Sequence, residues 1–120
     1  MAQITIYHNP NCSTSVHAVT TAKEMGVDAD IVLYLKTPPD AATLKSIIAK
    51  LEDPVTDLVR RDANFDKLGL SDDDVQTATQ VIEVLGKHKA LLQRPLIVTP
   101  AKAVIGRPKT RVSEALQPYV

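Results

Sequence analysis

The chemistry available to this sequence centres on its single cysteine, Cys12. It lies between a short apolar segment that ends at Tyr7 and a helical pattern that begins at Ser13. Unpaired backbone N–H groups at a helix N-terminus, together with the helix dipole, bind anions and favour a thiolate. A cysteine in this position ionises more readily than a free thiol, whose pKa is about 8.5. We therefore predict a reactive, ionised Cys12 rather than a small buried apolar side chain.

Polar neighbours could add to this effect. The hydroxyls of Ser13 and Ser15 can donate hydrogen bonds to the sulfur, or they can simply cap the helix. His8 adds positive charge if the intervening turn folds back towards the thiol, and otherwise it is a turn or surface histidine. The sequence leaves both alternatives open.

The absence of a second cysteine restricts the redox chemistry. Ser15 stands where a Cys-x-x-Cys dithiol would need its second cysteine, and Ala18 stands where a phosphatase loop would need arginine. Any redox cycle of Cys12 therefore takes electrons from an external thiol. A lone cysteine also favours a reducing compartment, and residues 1–11 have no secretory-signal pattern, so we expect a cytoplasmic protein.

Arginines are the groups that can hold an oxyanion beside a thiolate, because the guanidinium is planar, bidentate and permanently charged. Two of them directly precede proline, which favours extended backbone, and the bond before Pro95 is a candidate for the cis form. Each arginine alone is more typical of a solvated surface, and an anion site requires several to converge. The chain has five: Arg60, Arg61, Arg94, Arg107 and Arg111.

Composition excludes several classes of function. The 120 residues carry 14 basic and 14 acidic side chains, so no net positive charge favours nucleic acid or an anionic membrane. No apolar run approaches the length of a membrane span. His17 and His88 lack ligand spacing, and the acidic run Asp72–Asp74 is typical of a helix start rather than a metal site. We expect no metal and no bound cofactor.

Apolar periodicity predicts one α/β domain over 1–120, in the order β-α-β, helical insertion, β-β-α. The insertion covers about 38–92, and the sheet is mixed, with a parallel first pair and an antiparallel second pair. The strand over 29–35 is apolar enough to be covered on both faces. Asp40 is predicted to cap a helix over 41–51, and Ser71 with Asp74 to start a helix that ends at Gly86. The remaining predictions are a strand over 3–7, a helix over 13–25, a short helix over 54–61, a turn-rich segment over 65–70, strands over 96–98 and 103–105, and a helix over 110–117.

These segments resemble a known family. Residues 7–15, YHNPNCSTS, resemble the active-site signature of the glutaredoxin-coupled arsenate reductases. Residues 94–100, RPLIVTP, and 106–108, GRP, resemble that family's later motifs in order and spacing. The resemblance covers essentially the whole chain, and it implies a thioredoxin-like fold with a helical insertion.

The resemblance also implies roles for individual residues. Cys12 matches the nucleophile that attacks arsenate, and His8 matches the histidine near the thiol. Three arginines match the oxyanion-binding set, with Arg60 favoured over its neighbour Arg61; the set is Arg60, Arg94 and Arg107. Glutathione would then attack the adduct and glutaredoxin would clear the mixed disulfide. From the residues around Cys12 themselves, His8 and Ser15 are the candidates for stabilising the thiolate. Pro95 matches the cis proline of thioredoxin-like folds.

Two departures from the family bear on the strength of arsenate binding. Members often carry a basic residue where this chain has Val16, and many differ at Ser13. Two alternative functions follow from the same fold. One is an adaptor or regulator that binds RNA polymerase or glutathione without arsenate chemistry. The other is a monothiol glutaredoxin-like oxidoreductase that acts on glutathionylated thiols.

Overall fold

The computed structural model describes residues 3–120 and contains a four-stranded mixed sheet in the order β2-β1-β3-β4. The first two strands are parallel, and β1–β3 and β3–β4 are antiparallel. This arrangement confirms the predicted mixed α/β sheet. The strands are β1 Ile4–His8, β2 Ala29–Leu33, β3 Leu96–Val98 and β4 Ala103–Ile105.

Helices cover both faces of the sheet. Alternate residues of a strand point to opposite faces, so Ile4 and Ile6 of β1 belong to one apolar cluster and Tyr7 to the other. Helices α1 (Ser13–Glu24) and α5 (Thr110–Leu116) contact each other and share the first cluster. The helical insertion covers the second face. Burial on both sides fixes β1 as an inner strand that ends beside the N-terminus of α1.

The insertion is built from short helices with local caps. Asp40 accepts a hydrogen bond from the Thr43 N–H at 2.8 Å, which confirms it as an N-cap. The α-helices are α2 Ala41–Ala49, α3 Ala63–Lys67 and α4 Ala78–Lys87, and 3-10 helices lie at Val55–Leu58, Asp72–Val75 and Lys89–Leu91.

The short helix predicted over 54–61 is only the 3-10 helix Val55–Leu58, after which Val59 is extended. Two further predictions in the insertion are wrong. The segment 65–70, expected to be turn-rich, begins inside α3, because Asp62 caps that helix by accepting the Phe65 N–H at 3.1 Å while the Phe65 ring is buried, and only residues 68 and 69 form a turn. The helix expected from Ser71 to Gly86 is interrupted, because Thr77 forms a second capping box and starts α4 afresh. The Ser71–Asp74 capping box is confirmed, although it starts a 3-10 helix.

The second strand differs most from its prediction. It was expected to be covered on both faces, but it lies at the edge of the sheet, with Ile31 40% exposed and Leu33 36% exposed. Among the described residues β2 pairs with β1 alone. An apolar run therefore indicated a strand correctly but not its place in the sheet, which depends on how distant segments pack.

Gly106 brings two parts of the chain into close contact. Its N–H donates to the Pro95 carbonyl at 2.9 Å, which joins the end of β4 to the start of β3. A Cβ atom at Gly106 would lie 2.7 Å from Cγ of Pro95 and 3.0 Å from Cγ2 of Val112. The contact with a proline ring cannot be relieved by a rotamer change, so a larger residue would force the two segments apart.

We expect Gly106→Ala to lower the free energy of unfolding by about 1–3 kcal/mol, as overpacking does in cores. Gly86→Ala is the matched control. In residues 3–120, a Cβ added at Gly86 in α4 meets no atom within 4 Å beyond its own helix backbone and chain neighbours, so alanine there is expected to stabilise by about 0.5–1 kcal/mol. Urea denaturation of both variants measures the difference, and a Gly106→Ala protein as stable as the parent would contradict the close packing.

Candidate active site

Cys12 is the N-cap residue of α1 and is partly buried. Its N–H donates to the Asn9 carbonyl at 3.0 Å, which closes the turn after β1. Its own carbonyl accepts the Val16 N–H at 2.9 Å as the first helical hydrogen bond. The sulfur therefore lies at the start of the helix, where the next N–H groups have no intrahelical acceptor.

Opposing effects set the pKa of Cys12. Burial acts to raise this pKa. It is lowered by hydrogen bonds from the Ser15 N–H, the Arg94 side chain and the Thr14 N–H, and by the charge of Arg107. The lowering effects prevail, so the pKa of Cys12 lies below its usual value. The helix N-terminus and two guanidinium groups thus favour the thiolate together.

Two arginines from the β3–β4 region meet at the sulfur. Nη2 of Arg107 donates to Sγ of Cys12 at 3.4 Å, while its Nε donates to the Arg94 carbonyl at 2.8 Å. Within residues 3–120, the buried Nε of Arg94 has no hydrogen-bond partner. The peptide bond before Pro95 is cis, which confirms the prediction, and the bond before Pro108 is cis as well. The site thus holds donors that the protein itself does not fully use.

The side chains of His8 and Ser15 contact each other. The Ser15 hydroxyl accepts the Asn9 N–H at 2.9 Å and lies 2.6 Å from Nδ1 of His8. Burial lowers the pKa of His8, and a hydrogen bond at Ser15 offsets part of this. The Ser15 hydroxyl thus has the Asn9 N–H and Nδ1 of His8 as its hydrogen-bond partners. The hydroxyl of Ser15 is therefore engaged away from the sulfur, and it is the Ser15 backbone N–H that acts on the pKa of Cys12.

Arg60 joins the same network through Gln93. Nη1 of Arg60 donates to Oε1 of Gln93 at 3.0 Å, and the same oxygen accepts the Arg94 N–H at 3.3 Å. Nε of Arg60 also pairs with Asp62 at 3.4 Å. Gln93 was not predicted as a site residue, because a glutamine beside an arginine has no sequence signature of its own.

Arg61 points to a different part of the insertion. Its guanidinium donates to the Val59 carbonyl at 2.6 Å and to the backbone carbonyl and hydroxyl of Thr56. It also pairs with Asp72 at 3.2 Å and lies 5.5 Å from the centroid of the Phe65 ring. These contacts tie together the turns of the insertion. Of the two adjacent arginines, Arg60 is the one connected to the thiol through other residues.

Val16 leaves an apolar side chain, 43% exposed, on the first turn of α1. The anion-binding groups close to Cys12 therefore come from the β3–β4 region and the helix backbone. Within the described residues no group of acidic, histidine and cysteine side chains has the arrangement of a metal site. In residues 3–120, none of the helices has the length and apolar character needed to cross a membrane.

Comparison with known proteins places these features in a family. The model of the ArsC family matches residues 7–115. An arsenate reductase of Escherichia coli is 36% identical over 117 residues, covering 97% of this chain and 82% of that protein. An arsenate reductase of Neisseria meningitidis serogroup B is also 36% identical, covering 97% of this chain and all of that protein.

Other relatives extend the comparison to an uncharacterised protein and to solved structures. The uncharacterized protein YfgD of Escherichia coli (strain K12) is 38% identical over 114 residues. The matched region covers 93% of this chain and 95% of YfgD. The solved structure of an arsenate reductase from Vibrio cholerae superimposes with a TM-score of 0.77 at 29% identity, covering 95% of this chain and 98% of that one. The thioredoxin-like fold with a mixed sheet is thereby confirmed.

The arginines at the sulfur generate a prediction about ionisation. The alkylation rate of Cys12 by iodoacetamide rises with pH as the thiol loses its proton. Arg94→Ala and Arg107→Ala each remove an effect that lowers the pKa, so each variant should reach half of its maximal rate at a higher pH than the parent. Because the chain has one cysteine, the signal comes from Cys12 alone.

Lys23→Ala is the charge-matched control. Lys23 lies in the last turn of α1, so this substitution removes one positive charge far from the sulfur. Its alkylation profile should match that of the parent. Equal shifts in all three variants would mean that net charge, rather than the two guanidinium groups, sets the ionisation of Cys12.

Proposed function

This chain belongs to the ArsC family, and on that premise we propose that it reduces arsenate to arsenite with Cys12 as the nucleophile. The observation that carries the proposal is the guanidinium of Arg107, 3.4 Å from Sγ at the N-terminus of α1. A nucleophile beside positive charge and unpaired N–H groups is suited to an anionic electrophile, because an isolated thiolate would repel an oxyanion.

In the first step, arsenate binds against Arg94 and Arg107. The Cys12 thiolate attacks arsenic and forms an S–As bond, and one arsenate oxygen leaves as water after taking up protons. The guanidinium groups neutralise charge on the remaining oxygens during the attack. The buried Nε of Arg94 is unpartnered within residues 3–120, which leaves it free to donate to such an oxygen.

In the second step, arsenic accepts two electrons. The thiolate of glutathione attacks Sγ of Cys12 and forms a disulfide, and the electron pair of the broken S–As bond passes to arsenic. Arsenic changes from +5 to +3 and leaves as arsenite. A thiol of glutaredoxin then attacks the sulfur of the bound glutathione and restores the Cys12 thiolate. The lone cysteine supports external thiols as the electron source, because the sequence has no second cysteine for an internal disulfide.

We assign Arg60 to the oxyanion-binding set as its outer member. It contacts Gln93, which also accepts the Arg94 N–H, so its position depends on the same loop that holds Arg94. Burial acts to raise the pKa of Asp62, but the Phe65 N–H and the guanidinium groups of Arg60 and Arg94 lower it. The ionised Asp62 orients Arg60 and moderates the positive charge there.

His8 and Ser15 act in this proposal through the turn rather than through charge. Their mutual hydrogen bond fixes the start of α1, so that the Ser15 N–H stays directed at the sulfur. The reaction needs no resident metal or cofactor, since glutathione is a co-substrate. The cytoplasmic location stays a prediction, which a reducing glutathione pool would suit.

Cys12→Ser should abolish arsenate reduction in an assay with arsenate, glutathione and glutaredoxin, because a serine hydroxyl at neutral pH is a poor nucleophile and cannot form the disulfide. The fold should be unchanged, as circular dichroism would show. Turnover retained by this variant would overturn the assignment of the nucleophile. A parent protein that binds RNA polymerase and lacks all reductase activity would favour the adaptor function instead.

Substitution of the adjacent arginines separates their roles. Arg60→Lys keeps the charge but loses the planar fork, so we expect kcat/KM for arsenate to fall about tenfold or more. Arg61→Lys should leave the KM for arsenate near that of the parent while lowering the melting temperature, because Arg61 contacts the turns of the insertion. Steady-state kinetics and thermal melts of the pair measure both effects, and the reverse pattern would assign the role to Arg61.

A further inference from the structure

A cleft of about 340 Å³ lies next to the thiol site and shares Arg107 with it. Its lining includes Asp57 in the 3-10 helix Val55–Leu58, Gln93 before β3, and Arg111 in α5. This volume is at the lower end of the range for small-molecule sites, roughly 300–1,000 Å³. Because Arg107 lines the cleft and also contacts Sγ of Cys12, a molecule held there would lie close to the reacting sulfur.

Part of the charge in the cleft is already paired. Nη1 of Arg111 pairs with Oδ1 of Asp53, and Oδ2 of Asp53 accepts the Ile105 N–H at 3.0 Å. The guanidinium of Arg61 also lines the cleft but is engaged with Thr56 and neighbouring groups. These pairs form the walls, and they hold Arg111 in a fixed position.

The remaining polar groups are available to a ligand. Within residues 3–120, the exposed carboxylate of Asp57 makes no ion pair or hydrogen bond, and Nε2 of Gln93 and Nη1 of Arg107 have no hydrogen-bond acceptor. The cleft thus presents one free negative group and, elsewhere on its lining, free donors beside the Arg111 guanidinium. This arrangement complements a zwitterion, whose ammonium would face Asp57 and whose carboxylate would face the arginines.

We propose that this cleft binds the thiol reductant, a small zwitterionic peptide of the glutathione class, and presents its sulfur to the adduct on Cys12. The identity of this ligand rests on the proposed function. The charged groups that would bind it are features of the cleft and do not depend on that function. The two substrates would then occupy different sides of one residue, with arsenate held by Arg94 and Arg107 at the sulfur and the peptide held beside Arg107 in the cleft.

The binding test uses S-methylglutathione, which keeps the charges of the peptide but cannot act as a reductant. Titration of the full chain, followed by amide NMR shifts, should move the resonances of Asp57, Gln93 and Arg107. Asp57→Asn should weaken binding about two- to fivefold, the size of one exposed charge pair, and Asp57→Lys should weaken it further. Asp66→Asn is the control, because Asp66 is an exposed aspartate in the first turn of α3 and does not line the cleft.

Kinetics give a second measurement. In Asp57→Asn the KM for glutathione should rise by the same factor while the KM for arsenate stays unchanged. Amide NMR shifts confined to the start of α1 would contradict peptide binding in the cleft, and so would equal affinity of the Asp57 and Asp66 variants for S-methylglutathione. Either result would leave the reductase proposal intact. A parent protein that binds S-methylglutathione in the cleft but reduces no arsenate would overturn the proposed function and leave the cleft as a peptide site.

Discussion

The candidate site depends on the groups that lower the pKa of one partly buried sulfur, Cys12, at the N-terminus of α1. Burial by itself favours the neutral thiol, but N–H groups of α1 and two guanidinium groups outweigh the loss of solvation and lower the pKa of Cys12. The same groups solve a second problem. An anionic nucleophile and an anionic oxyanion repel each other at short distance, and positive charge shared between them removes that barrier. In the proposed reaction, a single set of donors therefore serves both the ionisation of Cys12 and the binding of the oxyanion.

The fold brings that set together from segments far apart in the chain. The inner strand β1 ends beside the start of α1, which sets the sulfur at the edge of the sheet. Arg94 precedes β3 and Arg107 follows β4, and because those strands are antiparallel neighbours the two arginines lie at the same end of the sheet. Gly106 lets their backbones approach closely, and the bond from Nε of Arg107 to the Arg94 carbonyl fixes the pair. A parallel arrangement of β3 and β4 would have separated them by the length of a strand.

Local features of the structure were predictable from the sequence, and features that depend on distant packing were not. The bounds of β3 and β4, the Asp40 cap and the placement of Cys12 before a helix follow from residues close in sequence. The exposure of β2 depends on the order of strands, which no local pattern encodes. The break before α4 could have been found, since Thr77 and Gln80 have the spacing of a capping box, but the apolar stripe through Val75 and Ile82 outweighed it.

In the site, too, the residue types were predictable from the sequence, but the atoms that make each contact were not. Residue types near the thiol indicated hydroxyl and imidazole groups acting on the sulfur, but a side chain can satisfy only the partners that its rotamer reaches. In Ser15 the hydroxyl accepts from Asn9 and contacts His8, while the backbone N–H of the same residue acts on Cys12. The serine side chain thus matters indirectly, because it holds the turn in the geometry that directs the N–H. Because burial lowers the pKa of His8 and Val16 carries no charge, the groups that lower the pKa of Cys12 are Arg94, Arg107 and the helix backbone.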